Sequence, residues 1–167
     1  MPSVYYKTEG LVMKKMPFGE ADFLVRILSR DFGKIDILAK GARKTASKLN
    51  AHIDILNHIR VSFVKNGDRL PTLTDAEILN RYDDWFSDSE HISVAGRILQ
   101  TLDKIILPGS KDEELFSIAV RFFAKPDTHE ENAVKFLREI FKHEGYGDSL
   151  PPEHEQSIIK LWPILKI

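Results

Sequence analysis

The sequence has 167 residues, 43% of them hydrophobic and 10% aromatic, which is enough to bury a core in one domain or in two small ones. It contains no cysteine, which excludes disulfide bonds, a thiolate nucleophile and cysteine-ligated zinc. Residues 1–81 carry 14 Lys/Arg against 9 Asp/Glu, a net +5, whereas residues 82–167 carry 10 against 16, a net −6. This asymmetry indicates two modules, the first of which suits a polyanion.

The first half of the sequence shows the period-two alternation and turn residues of short strands. A hairpin is predicted at Asp31-Phe32-Gly33 and a tight turn at Asn66-Gly67-Asp68. Five strands in fewer than 80 residues favour a small sandwich or barrel, of which the five-stranded OB-fold is the commonest. The predicted strands start at about residue 10 and cover 10–14, 23–28, 34–40, 59–65 and 69–79.

From about residue 87 the apolar period becomes helical, and three capping boxes follow one another. They pair Ser87 with Glu90, Ser110 with Glu113, and Thr128 with Glu131, and a fourth short helix is predicted over residues 152–162. The predicted fold is therefore α+β: an N-terminal five-stranded OB-fold β-barrel over residues 1–81, followed by an all-α helical domain over residues 82–167.

No motif for catalysis is present, so a non-enzyme without metal or cofactor is expected. Lys44-Thr45 would suit a phosphate-binding loop, but that motif needs Gly before the Lys and the residue there is Arg43. No two histidines have the i, i+4 spacing of a zinc-protease helix. A metal-dependent nuclease is the disfavoured alternative, since its candidate ligands have no partner at a recognisable spacing. Those candidates are Asp22, Asp31 and Asp36.

The strongest binding signal is a cationic loop after the third predicted strand. Four cations lie within residues 40–48, separated mostly by small residues, and no acid occurs within residues 37–53. Such a loop can approach phosphates closely and release counterions. The candidate DNA-binding cations are the loop residues Lys40, Arg43, Lys44 and Lys48, together with Lys14, Lys15, Arg26, Arg30 and Lys34 on and beside the first strands.

Aromatic side chains that could stack on bases are few. Phe18 and Phe32 lie next to glycines in predicted loops and are the candidates for exposed stacking residues, whereas Phe23 and Phe63 lie on apolar strand faces and are expected in the core. This scarcity favours binding to the sugar-phosphate backbone of single- and double-stranded DNA with little sequence preference.

Several of these segments together resemble one family. The runs Gly19-Glu20-Ala21-Asp22-Phe23, Phe32-Gly33-Lys34 and Ala39-Lys40-Gly41-Ala42-Arg43 resemble the N-terminal domain of the RecO family of recombination mediators, as do Leu73-Thr74-Asp75-Ala76-Glu77 and the later Gly145-Tyr146. The resemblance covers most of residues 8–147. It implies an OB-fold plus a helical domain, and a DNA-repair function in a bacterial cytoplasmic, nucleoid-associated protein.

The resemblance further implies that the protein binds and anneals single-stranded DNA. It also implies loading of the strand-exchange recombinase onto strands coated by single-strand-binding protein, and binding to RecR and to the acidic C-terminal tail of that coating protein. Many members carry a four-cysteine zinc element after the Gly-Tyr position, which a chain without cysteine cannot form. The chain also ends at Ile167, short of the usual family length, so a short form with a reduced helical domain is expected.

A second hypothesis is a non-catalytic interaction module that captures an acidic peptide tail with the helical half. Its candidate residues are Arg97, Lys104, Arg121 and Lys125. DNA binding that is absent, or that does not depend on salt, would favour this module over the mediator.

Overall fold

The computed structural model describes residues 2–147. Its first 80 residues form five strands, which β-branched and aliphatic residues dominate: β1 (Val4–Phe18), β2 (Asp22–Ser29), β3 (Gly33–Ala39), β4 (His58–Lys65) and β5 (Thr72–Asn80). A short 3-10 turn at Asp83–Phe86 precedes three helices: α1 (Ser89–Ile105), α2 (Glu113–Phe123) and α3 (Glu130–His143). The predicted succession of five strands and then helices is confirmed, and the predicted helix at residues 152–162 lies outside the described residues.

The five strands close into a ring in the order β1-β2-β3-β5-β4, with β4 pairing back to β1. β1 makes this possible because its first part, Val4–Leu11, pairs with β4, and its second part, from Gly10 on, pairs with β2. The prediction that the first strand starts at Gly10 was wrong. Gly10 lies inside the strand, where an added Cβ would be 2.8 Å from Cδ1 of Ile27, so any larger residue would require the Ile27 side chain to shift.

The seam between β3 and β5 is thin, with one parallel pair, Leu38 with Thr72. The other four strand pairings are antiparallel and longer, and the predicted hairpin between β2 and β3 is confirmed. Alternate residues of all five strands point into the ring, because side chains alternate across a strand. The resulting core comprises Val12, Val25, Ile27, Ile37, Ala39, Ala42, Ile53, Ile59, Val61, Phe63, Leu73 and Ala76.

The chain divides into two compact units. The first comprises residues 1–82 and also Leu107–Val120, and the second comprises Asp83–Ile106 and the chain from Arg121 on. In the first unit, Gly109 N–H donates to the carbonyl of Lys34 on β3 at 3.0 Å. In the second, Trp85 is fully buried and its Nε1 donates to the carbonyl of Phe123 at 2.8 Å. The predicted division into domains at residues 81/82 stays a prediction.

Aspartates, and not the predicted hydroxyl residues, bind the free amides at the helix starts. Asp88 is the N-cap of α1 and accepts from the N–H of His91 at 2.9 Å, a bond that lowers the pKa of the Asp88 carboxyl. Asp112 accepts from Leu115 N–H at 2.9 Å before α2. Before α3, Asp127 accepts from His129 N–H at 2.8 Å, and His129, the N-cap residue itself, makes no side-chain capping bond. The predicted caps of α1 and α2 were therefore one or two residues out of register, since a carboxylate is an equally good acceptor at this position.

Candidate nucleic-acid interface

The cationic loop at residues 40–48, the basic loop, is fixed against the turn between β1 and β2. Gly41 has a φ of +66°, which turns the chain as it leaves β3, and its N–H donates to Oδ1 of Asp22 at 2.7 Å. Arg43 N–H donates to the carbonyl of Ala21, and Arg43 Nη1 donates to the carbonyl of Gly19, each at 2.9 Å. The loop is therefore held at both its backbone and one side chain.

The cations of the basic loop face solvent. Lys40, Arg43, Lys44 and Lys48 are all exposed. Within residues 2–147 no carboxylate pairs with any of the four, and Arg43 uses one of its five donors on the carbonyl of Gly19. The loop therefore presents net positive charge that is not neutralised locally.

The remainder of the connection between β3 and β4 holds the basic loop in place. Ala42 and Ile53 are fully buried in the core of the ring. The ring nitrogen Nδ1 of His52 bonds to the carbonyl of Ala76 on β5 at 2.7 Å. Because apolar anchors lie at both ends of the polar stretch, its cations are displayed on a structured segment.

Two further predicted residues are exposed near this loop. Phe18, the last residue of β1, is 44% exposed and precedes Gly19, whose carbonyl binds Arg43. Lys14 is also exposed on β1 and lies opposite Arg26 of β2. Phe18 therefore directly precedes the turn residue whose carbonyl Arg43 binds.

Lys15 has a different environment. Its ammonium donates to the carbonyl and Oδ1 of Asn50 at 3.0 and 2.7 Å and to Oδ1 of Asp54 at 2.8 Å. It also lies 4.6 Å from the centroid of the Phe23 ring, and the side chain is 14% exposed. Lys15 therefore anchors β1 to residues 50–54, since its donors bind protein acceptors, and its role as a DNA contact stays a prediction.

Three other predicted cations are also engaged inside the first unit. Arg26 binds Asp36 on β3 through two parallel hydrogen bonds of 2.7 and 2.8 Å. Arg30 lies 3.1 Å from Oε2 of Glu9, and Lys34 is buried, with 7% exposure. The structure thus does not bring these three together with the basic loop as a continuous exposed surface.

Phe32 was predicted as an exposed stacking residue, and its packing corrects this. Its ring contacts Tyr6 edge-on at 5.3 Å and Phe63 edge-on at 5.6 Å, and it packs against the core as a partly buried side chain. Phe63 is buried as predicted, whereas Phe23 is partly exposed. Gly33, next to Phe32, allows the tight turn of the hairpin and does not expose the Phe32 ring.

A cluster around Glu9 was not predicted from the sequence. We call it the Glu9 cluster, and it comprises Glu9, Arg30, His58 and Arg60. The Glu9 carboxylate lies 3.2 Å from Nε2 of His58 and 3.9 Å from Arg60, in addition to Arg30. Burial lowers the pKa of His58 and outweighs the hydrogen bond to Glu9, which raises it; Arg30 and Arg60 lower it further. No spacing rule links residues 49 positions apart in sequence.

The candidate peptide-binding cations of the helical part differ among themselves. Lys104 and Lys125 are exposed, and Arg121 lies 3.6 Å from Glu139. Arg97 is partly buried, and its Nη1 is a buried atom without a hydrogen-bond partner in the described chain.

The candidate ligands of the nuclease alternative each have a protein partner. Asp22 accepts from Gly41, Asp31 accepts from the Thr8 hydroxyl at 2.6 Å, and Asp36 binds Arg26. Between residues 2 and 147 there is no group of three His, Asp or Glu side chains that could hold a metal ion. Within the same range no helix combines the length and apolarity needed to cross a membrane.

Comparison with known proteins gives the family. Residues 1–82 match the family model described as recombination protein O N terminal. DNA repair protein RecO of Acetivibrio thermocellus is 32% identical over 126 residues, which are 74% of this chain and 50% of that protein. The chain belongs to the RecO family.

Other RecO proteins match over a similar share of the chain. RecO of Roseiflexus sp. is 31% identical over 113 residues, 68% of this chain and 39% of that protein. RecO of Halalkalibacterium halodurans is 27% identical over 115 residues, 69% of this chain and 45% of that protein. The chain thus spans about half the length, or less, of these curated RecO relatives, which are DNA repair proteins.

Proposed function

We propose that this chain is the DNA-binding part of a recombination mediator. In this role it binds and anneals single-stranded DNA and assists loading of the strand-exchange recombinase onto strands coated by single-strand-binding protein. Membership of the RecO family, whose relatives are DNA repair proteins, supports the general role. The ring order β1-β2-β3-β5-β4 supports an OB-fold, and we propose one domain over residues 1–81 and a helical domain from residue 82.

The observation that carries the proposal is the basic loop with its cations unpaired. Phosphate contacts dominate the affinity of most protein–DNA complexes, and they need cations that are not already neutralised. Lys40, Lys44 and Lys48 meet this condition, and OB-folds bind oligonucleotides beside the loop between their first two strands, where Arg43 is fixed.

Phe18 supplies the stacking surface in this proposal. It is exposed at the turn that Arg43 holds, so a base on its ring would place the adjoining phosphates near the loop cations. Lys14 extends the same contact along β1. A single exposed ring gives little discrimination among bases, so we expect weak sequence preference.

We further propose that the protein is not an enzyme and that it works through protein partners. Asp22, Asp31 and Asp36 each make a structural contact, and within residues 2–147 no three acidic or histidine side chains are grouped as metal ligands, which disfavours the nuclease alternative. The acidic tail of single-strand-binding protein and RecR are the proposed partners. Lys104 and Lys125 are the candidates for the tail, since both are exposed, whereas Arg121 lies 3.6 Å from Glu139 and Arg97 is partly buried.

The test is a salt titration of fluorescent single- and double-stranded DNA with the triple variant Lys40→Ala/Lys44→Ala/Lys48→Ala. Each lost phosphate contact on a single strand should lower the log–log salt slope by about 0.7, so the triple variant should lose about 2. The matched control is Lys104→Ala/Lys125→Ala/Lys135→Ala, which removes the same charge from exposed positions of the helical part.

The control is expected to keep the slope of the wild type. Equal losses in both variants would show a general charge effect and would contradict a site at the basic loop. If the folded wild type fails to bind DNA at low salt, the proposed function is wrong for this chain.

A further inference from the structure

The edge of β3 that faces away from β2 makes backbone hydrogen bonds at two positions, and the position between them makes none. Leu38 N–H donates to the carbonyl of Pro71 at 2.8 Å, and the carbonyl of Lys34 accepts from Gly109 N–H at 3.0 Å. Backbone groups alternate in direction along a strand, and the β2–β3 register has no bulge, so the N–H and C=O of Asp36 point to this same edge. Within residues 2–147, β3 pairs on this side only at Leu38, with Thr72, and at Lys34, with Pro108, so the two Asp36 groups have no backbone partner there.

The open position lies in a groove of about 420 Å³ within the first unit. Such a volume is within the range of small-ligand and peptide pockets. One wall is the end of the loop between β4 and β5, and the other is the segment that follows α1. Its lining includes Lys34, Asp36, Lys65, Leu70, Pro71 and Pro108.

The lining combines exposed apolar surface with cationic charge. Leu70 is 45% exposed, and two prolines continue the apolar walls on either side. Lys65 is exposed at the end of β4 and pairs with no carboxylate in residues 2–147. The one acid in the groove, Asp36, is already bound by Arg26 at 2.7 Å. The local charge that remains is therefore positive.

These features favour a peptide over a nucleic acid as the occupant. None of the lining residues has an aromatic ring on which a base could stack. An unpaired N–H and C=O at a strand edge, in contrast, match the backbone of an extended peptide.

We propose that this groove binds an extended segment of a partner protein that carries carboxylates beside a large apolar side chain. The peptide backbone bonds to the N–H and C=O of Asp36, the apolar side chain packs on Leu70 and Pro108, and a carboxylate faces Lys65. The site shares no residue with the basic loop, so it stands apart from the proposed DNA contact. Because only one residue of β3 has backbone groups to bond with the peptide, we expect the isolated peptide to bind weakly, with Kd between about 1 μM and 1 mM.

The test uses the 167-residue chain labelled with ¹⁵N and a capped peptide, Glu-Leu-Glu-Val-Glu-Leu, added up to about 1 mM. Saturable shifts of the amide resonances of Asp36, Lys65 and Leu70 are expected. Lys65→Glu should weaken binding at least about tenfold, since it turns an attractive charge into a repulsive one. The matched control, Lys7→Glu, reverses an exposed lysine on β1 that does not line the groove and should bind as wild type does.

Two further arms separate this site from the DNA site. The triple variant of the basic loop should keep the peptide shifts, even if it has lost DNA. A peptide with Lys in place of Glu should leave the three resonances unmoved. The proposal is overturned if the acidic peptide leaves them unmoved, if Lys65→Glu binds as well as wild type, or if an oligothymidine shifts them and the peptide does not.

Discussion

The basic loop and the Glu9 cluster both contain several basic side chains, but those of the loop are exposed without a carboxylate partner and those of the cluster surround one carboxylate. In the loop, four cations share a stretch without acids and face solvent. Around Glu9, two arginines and a buried histidine converge on one carboxylate. The difference teaches that the position of carboxylates in the fold, more than the number of cations in a half of the chain, decides which charges remain for a polyanion.

The largest effects on stability and DNA binding should come from Phe32 and Phe18, which were both predicted to be exposed stacking residues. Phe32→Ala removes a partly buried ring from the cluster with Tyr6 and Phe63, so the free energy of unfolding should fall by about 3 kcal/mol. Phe18→Ala should leave stability within about 0.5 kcal/mol and weaken single-strand binding by about 1–3 kcal/mol. Urea unfolding and DNA titration of both variants check this. Weaker DNA binding by a fully stable Phe32→Ala would reverse the assignment.

The Glu9 cluster should be sensitive to loss of its one acid. Glu9→Gln leaves Arg30, Arg60 and His58 without their shared charge, and since the Glu9 side chain is 22% exposed, we expect a loss of about 2 kcal/mol, less than for a fully buried pair. Glu20→Gln, at an exposed acid in the β1–β2 turn, is the control and should be neutral. Equal unfolding midpoints in urea for Glu9→Gln and wild type would show that the cluster adds nothing to stability.

Variants of Lys15 and Lys44 distinguish a lysine that stabilises the fold from a lysine that binds DNA. Lys15→Ala should lower the free energy of unfolding by about 1 kcal/mol, because its three hydrogen bonds join β1 to residues 50–54. Its salt slope for DNA should stay at the wild-type value. Lys44→Ala should do the opposite, with unchanged stability and a slope lower by about 0.7. If the two variants behave alike in either assay, the distinction fails.

The smallest effect is a pH dependence from His58. Its pKa in the folded state is below the ordinary 6.5, chiefly through burial, so below about pH 6.5 the unfolded chain binds more protons than the folded one. The unfolding free energy should therefore fall as pH drops from 6.5 through the folded pKa, and be unaffected by this group above 6.5. His58→Gln should flatten the difference between pH 5 and pH 8 relative to wild type. A steeper dependence in the variant would contradict the sign.

The succession of five strands and then three helices within residues 2–147 followed from local patterns, because alternation and apolar periodicity directly reflect one buried face. The exposure of the basic loop was also within reach, since a run without acids cannot pair its cations locally. The ion pairs of Lys15 and Arg26 could not be predicted from the sequence. Asp36 reaches Arg26 only through the pairing of β2 with β3, and Asp54 reaches Lys15 only because the β3–β4 connection returns to β1. The start of β1 was missed because glycine is typical of turns, whereas Gly10 lies within the strand and allows a close contact with Ile27.

The segment Leu107–Val120 returns to the first unit after the chain has passed through α1. Phe116 on this segment contacts His58 and lies 5.3 Å from the Arg30 guanidinium, and Ser110 abuts Gly33 so closely that no side chain fits there. During synthesis the strand ring therefore lacks part of its covering until residue 120 has left the ribosome, several seconds after residue 82 at about 5–20 residues per second. A fragment cut at residue 82, where the family model ends, would expose this apolar surface and should aggregate more readily than the whole chain.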